Sequence, residues 1–277
     1  MTAAGNDGAW CWGAMHPNCS SVDAVSEHRH VPAAARGLFT AIVSCEGIMA
    51  YSGGVKTVKG SILPSEKPYV LCVHVGGPAK IGWADDGGRY GTGANLGEAL
   101  DGLATMLRSG SRVALGFEAP IWTPVRAELA QITSRRGGVE TNYNRAWSAS
   151  AGIGALGPAL ALMPWCLKRI AKGSGPIATT VDPQRFYERG GLFLWEAFVS
   201  GTMKVVGTTP HDDARRACDA FVARWPDLFS DIPPEPALNH AVSSAMAAGL
   251  SIDRNELVIP ALVVGVTAKT AVESVTI

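Results

Sequence analysis

The chain has 277 residues, 47% of them hydrophobic and 17% charged, with 24 basic residues matched by 24 acidic ones. That length and apolar content suffice for one large or two small domains with a sizeable core. A formal net charge of zero excludes a uniformly basic nucleic-acid-coating protein, though a local groove can still be basic.

Residues 1–66 carry scattered Gly, Ser, Ala and His with poor periodicity, and read as a poorly ordered N-terminal extension. His16, Cys19, His28 and His30 in it match no metal-site spacing. The first apolar run, residues 38–50, lies too far in for a secretory signal and contains Glu46. Cys11, Cys19, Cys45, Cys72, Cys166 and Cys218 form no C-x-x-C pair, and read as small hydrophobes of a reducing, cytoplasmic protein.

The compact part, residues 67–277, reads as a single α/β domain. Residues 69–75 and 80–85 predict two strands joined by a turn at Gly76-Gly77, where glycine suits a positive φ or a close backbone approach. Asp86-Gly87-Gly88 predicts a second turn and residues 89–93 a short third strand. Asn95 with Glu98 predicts a capping box. Leu96, Ala99, Leu100, Leu103, Ala104 and Leu107 then share one helical face, ended by Gly110. Residues 112–118 predict a fourth strand, and residues 121–146 an irregular loop holding Arg126, Arg135, Arg136 and Arg145. Residues 146–167 carry no charge and predict a helix. Its Gly152, Gly154, Gly157, Pro158 and Pro164 suit close packing in protein rather than lipid. Residues 191–199 predict a fifth strand, 211–225 and 236–250 helices, and 256–266 a last strand.

The candidate chemistry lies at the strand ends. Glu118 and Glu196 each interrupt an apolar strand, where a lone carboxylate is costly to bury. Side by side they would need a hard cation such as Mg²⁺. His74 stands in the first strand's apolar run, and Asp213 in the first turn of a helix. Asp85 and Asp212 have ordinary turn and cap roles open to them, and the loop arginines could meet phosphates. Asn239 and His240 are weaker candidates on a later helix. No G-x-x-x-x-G-K-[ST], G-x-G-x-x-G or G-x-S-x-G motif is present.

Over residues 68–265 the chain resembles a bacterial and archaeal family of predicted RNase H-like nucleases of largely unknown function. Val73-His74-Val75-Gly76-Gly77-Pro78-Ala79-Lys80-Ile81-Gly82 is similar to that family's strand-Asp-x-Gly-Gly-Pro-x-Lys-Gly start, Glu118-Ala119-Pro120 to its acid-x-Pro, and Leu194-Trp195-Glu196 and His211-Asp212-Asp213-Ala214 to its later acids. The resemblance implies an RNase H-like mixed sheet with flanking helices, and a phosphodiester hydrolase using Mg²⁺ or Mn²⁺. The catalytic group would be His74, Glu118, Glu196 and Asp213, with Glu118, Glu196 and Asp213 as metal ligands. Nucleic acid would be the partner and no membrane would be involved. His74 stands where the family pattern has Asp, and imidazole is a poor ligand for hard Mg²⁺. Two other readings stay open. One is a non-catalytic nucleic-acid or protein binding module on the same fold. The other is a sugar-kinase or actin-like ATP-binding protein with Gly76-Gly77 as its phosphate turn.

Overall fold

The computed structural model describes residues 66–143, 146–200 and 208–266. All lie in the second of the two compact units of the chain, Val58–Ile277; the first, Met1–Thr57, and the predicted extension as far as residue 65 lie outside the described residues.

Six strands meet in parallel around the centre of one mixed sheet. β1 (Tyr69–His74), β4 (Val113–Glu118) and β7 (Leu192–Phe198) are near-continuous apolar runs, as strands covered on both sides must be. β2 (Gly82–Asp85) runs antiparallel to β1, and β3 (Tyr90–Thr92) antiparallel to β2. The order β3-β2-β1-β4-β7 continues into β6 (Ala178–Thr180) and β9 (Ser251–Ile252). β6 pairs with the start of β7 and β10 (Val263–Gly265) with its end, so the two share one edge.

Helix α1 (Leu96–Arg108) buries the face its periodicity predicts, Leu96, Ala99, Leu100, Leu103, Ala104 and Leu107. Its predicted cap differs. The Asn95 side chain makes no cap bond and instead accepts from Thr92 N at 2.9 Å and Trp83 Nε1 at 3.0 Å. It occupies the space where Gly91 lacks a Cβ, so it fastens β3 rather than the helix.

Helix α2 (Ser150–Ser174) packs one face against α1 and against α5 (His240–Ala248). Its buried residues are Gly152, Ala155, Leu156, Ala159, Met163, Cys166, Leu167 and Ile170, while Ile153, Leu160 and Trp165 are exposed. It is the one helix among the described residues long and apolar enough to cross a membrane.

Three further differences from the sequence reading have local causes. The predicted loop contains β5 (Trp122–Pro124), which pairs with β8 (Ala237–Asn239), so the predicted helix over 236–250 starts only at His240. The predicted last strand is a 3₁₀ turn, Arg254–Val258, followed by β10. Neither Gly76 nor Gly77 has positive φ; that connection is a short 3₁₀ turn, Pro78–Lys80. Gly76 is required by contact instead, since a Cβ there would lie 2.9 Å from Lys80 Cβ.

Candidate functional site

The site forms where β1 and β4 end. The two strands run parallel and in register, so His74 stands beside Glu118. Register partners in parallel strands point to the same side of the sheet. His74 Nδ1 lies 2.5 Å from Glu118 Oε2, a direct hydrogen bond. Glu118 is buried, and His74 keeps a 14% exposed side chain, so the imidazole is the edge of the pair that meets solvent.

A helix delivers the third group. α4 (Pro210–Val222) begins with a capping box in which Thr209 and Asp212 bond each other reciprocally. Those bonds hold the Asp212 carboxyl below the usual carboxylate range. Asp212 is therefore a cap, and its neighbour Asp213 turns toward the sheet. Close approach is possible because β2 presents Gly82 beside His74; a Cβ there would lie 2.6 Å from His211 N and from Pro210 C. Asp213 Oδ2 consequently lies 4.0 Å from His74 Nδ1. One potential ligand atom from each of His74, Glu118 and Asp213 falls within 4.8 Å of the others. Arg216, one turn on, brings Nη1 to 3.6 Å from Asp213 Oδ1.

The same face carries Cys72, Gly116 and Trp195, whose ring meets Phe221 of α4 at 4.7 Å between centroids. The Cys72 thiol is pushed well up, first by burial, then by Cys218 and by the nearby Glu118 and Asp213 carboxylates. Two carboxyl groups, the His74 imidazole and the Arg216 guanidinium thus share this side of the sheet.

Glu196 does not join the cluster. β7 pairs with β4 so that Glu196 stands beside Phe117, one residue out of step with Glu118. Alternate residues point to opposite faces of a sheet, so Glu118 and Glu196 face away from each other. The expected sharing of one cation by these two carboxylates is corrected by that register. Glu196 instead receives Arg136 bidentately, Nη1 to Oε2 at 2.9 Å and Nη2 to Oε1 at 2.7 Å, and accepts from Ile121 N at 3.1 Å.

The remaining candidates are held in structural roles. Asp85 accepts from Tyr69 Oη and from Arg89, whose Nε lies at 2.7 Å. Asn239 caps α5 and donates to Ile259 O at 2.9 Å. His240 bonds Thr123 Oγ1 at 3.2 Å, and burial lowers its pKa. Arg126 chelates Glu235 and three loop carbonyls, so neither it nor Arg136 is available to phosphates. Arg145 lies outside the described residues.

The group that sequence reasoning missed is Arg136 with Glu140. Arg136 is fully buried, with its guanidinium 4.6 Å from the Trp122 ring centroid and its Nε 3.2 Å from Glu140 Oε2. Burial alone would lower its pKa, but Glu196 and Glu140 outweigh that and the net shift is upward. Nothing in a polar loop sequence marks one arginine as buried; only its partner on a strand reveals it. Comparisons with protein families, with curated proteins and with solved structures give no match for this chain.

Proposed function

We propose that this chain is an RNase H-like phosphodiester hydrolase that uses a single divalent ion held by His74, Glu118 and Asp213. The observation that carries the reading is the convergence of one ligand atom from each, within 4.8 Å, at the ends of β1 and β4 and the start of α4. Ligands of open α/β sheets bind beyond the carboxyl ends of the strands, where this cluster lies. The strand order β3-β2-β1-β4-β7, antiparallel for the first two pairings and parallel afterwards, supports the RNase H-like assignment. So does the family resemblance at Glu118 and Asp213, with His74 standing in place of that family's Asp.

The donor set tests which ion fits. One imidazole nitrogen and two carboxylates suit a borderline ion such as Mn²⁺ better than Mg²⁺, which prefers oxygen. Such an ion supplies an activated water and charge stabilisation at phosphorus. Glu196 has no part in this site. Nucleic acid is the expected substrate class, met through local contacts rather than a uniformly basic surface, given the zero net charge.

A specific observation favours a second reading, a binding module without hydrolysis. His74 and Glu118 already bond each other at 2.5 Å, and an imidazole stands where the resemblance puts an acid. One experiment separates the two: the wild type, Glu118→Gln and Asp213→Asn are assayed with Mn²⁺ against a chromogenic phosphodiester and labelled single-stranded RNA and DNA. Hydrolysis by the wild type that both substitutions abolish supports the hydrolase. Mn²⁺-independent binding of the strands without cleavage supports the module and sinks the hydrolase.

A further inference from the structure

The opposite side of the sheet carries a second cluster, independent of the site above. Arg136, Glu140 and Glu196 are each at most 3% exposed. Arg136 Nε and backbone N both donate to Glu140 Oε2, at 3.2 and 2.7 Å, while Nη1 and Nη2 serve Glu196. One guanidinium therefore faces two buried carboxyl groups, and with both ionised the group would carry one negative charge over. Glu140 Oε1 is buried and has no hydrogen-bond partner among the described residues. A buried acceptor oxygen with nothing to meet it is costly, and more so when it is charged.

Glu140 lines a recess. The recess lies between Ala119-Pro120 after β4, the end of β7, Trp147, and Gly152 in the first turn of α2. Its narrow core has room for a single water-sized particle. The turn that carries Glu140 is built to reach it. Gly137 and Gly138 have φ of 88° and 54°, and a Cβ on Gly138 would lie 1.9 Å from Asp231 O. Only glycine closes this turn, so Glu140 is held in place by the backbone rather than swung in by chance.

We infer that the Arg136–Glu140–Glu196 recess binds a small monovalent cation of water-like size, potassium or ammonium, at Glu140 Oε1. The cation would neutralise the surplus charge and satisfy the partnerless oxygen in one step. A multivalent ion is disfavoured, because Arg136 already neutralises Glu196 and a second strong positive charge would be repelled.

The test is thermal unfolding of the full chain at constant ionic strength, with potassium, ammonium, sodium or tetramethylammonium as the only cation. Binding to the native state alone raises the midpoint with cation concentration. The expected result is a saturable rise of several degrees in potassium or ammonium and none in tetramethylammonium; the better of the two identifies the natural occupant. Glu140→Gln keeps an acceptor for Arg136 but removes the surplus charge. It should be insensitive to the cation, and more stable than the wild type in tetramethylammonium. If Glu140→Gln does not fold, thallium NMR of the wild type, competed with potassium, reads the site directly. A wild-type midpoint indifferent to the cation, or a Glu140→Gln protein that keeps the dependence, overturns the inference. Dependence on pH but not on cation also overturns it, since a proton would then balance the charge.

Discussion

Removing Arg136 is the sharpest test of how Glu196 is used. Arg136→Ala deletes a bidentate bond of 2.9 and 2.7 Å to Glu196, the bond to Glu140, and a contact with Trp122 O at 3.3 Å. Both ion-pair side chains are essentially inaccessible, so solvent screening does not discount the pair. Breaking a buried pair from one side costs about 3–5 kcal/mol, because a buried charge is stranded. Here two carboxylates are stranded, which puts the loss at the upper end. For a fold of this size that lowers the unfolding midpoint by about 6–20 °C, at about 2–4 °C per kcal/mol. The contrast is Arg136→Met with Glu196→Met, which should recover the part of the loss that comes from Glu196 and leave the part that comes from Glu140. Urea unfolding followed by far-UV circular dichroism gives the free energies, and calorimetric titration of Mn²⁺ into Glu196→Gln shows whether the ion notices. An Arg136→Ala loss below about 1 kcal/mol, or loss of Mn²⁺ binding in Glu196→Gln, would refute the assignment of Glu196 to the ion pair.

Gly82→Ala should displace the start of α4, since its Cβ would lie 2.6 Å from His211 N; a destabilisation of about 1–3 kcal/mol by urea titration, with weakened Mn²⁺ affinity, is expected. Burial lowers the pKa of His240 below its ordinary 6.5, so below that pH the unfolded chain takes up a proton more readily than the folded one. Stability should therefore fall as pH drops through and below 6.5, and His240→Asn should flatten that part of a stability–pH profile. Cys72 and Cys218 are buried with thiols pushed well up, and Cys166 is raised to about 12, mainly by burial. Site-resolved mass spectrometry should find these thiols unlabelled by iodoacetamide in the native protein and labelled in urea; labelling without denaturant would contradict their burial.

Much of the architecture was legible before folding was considered. Apolar runs marked β1, β4 and β7 because strands covered on both faces need no polar alternation. The heptad-like spacing in α1 named its buried face residue by residue, since one helical face recurs every three or four positions. Short elements were lost for the opposite reason: β5, β8 and β9 span three residues or fewer, and their pairing partners lie far away in sequence.

The sequence by itself determined which residues would be difficult to bury in the strands: His74, Glu118 and Glu196 all interrupt apolar patterns, while Asp213 stood out only at a polar helix start. Which of them act together was decided only by tertiary register. A parallel strand's partner is set by the crossover between strands, which leaves no local mark. Here the register places Phe117, not Glu118, beside Glu196. One residue of offset turns a side chain to the other face. That offset leaves Glu118 with His74 and Asp213 and gives Glu196 to Arg136, an arginine distant in sequence whose burial no composition could announce.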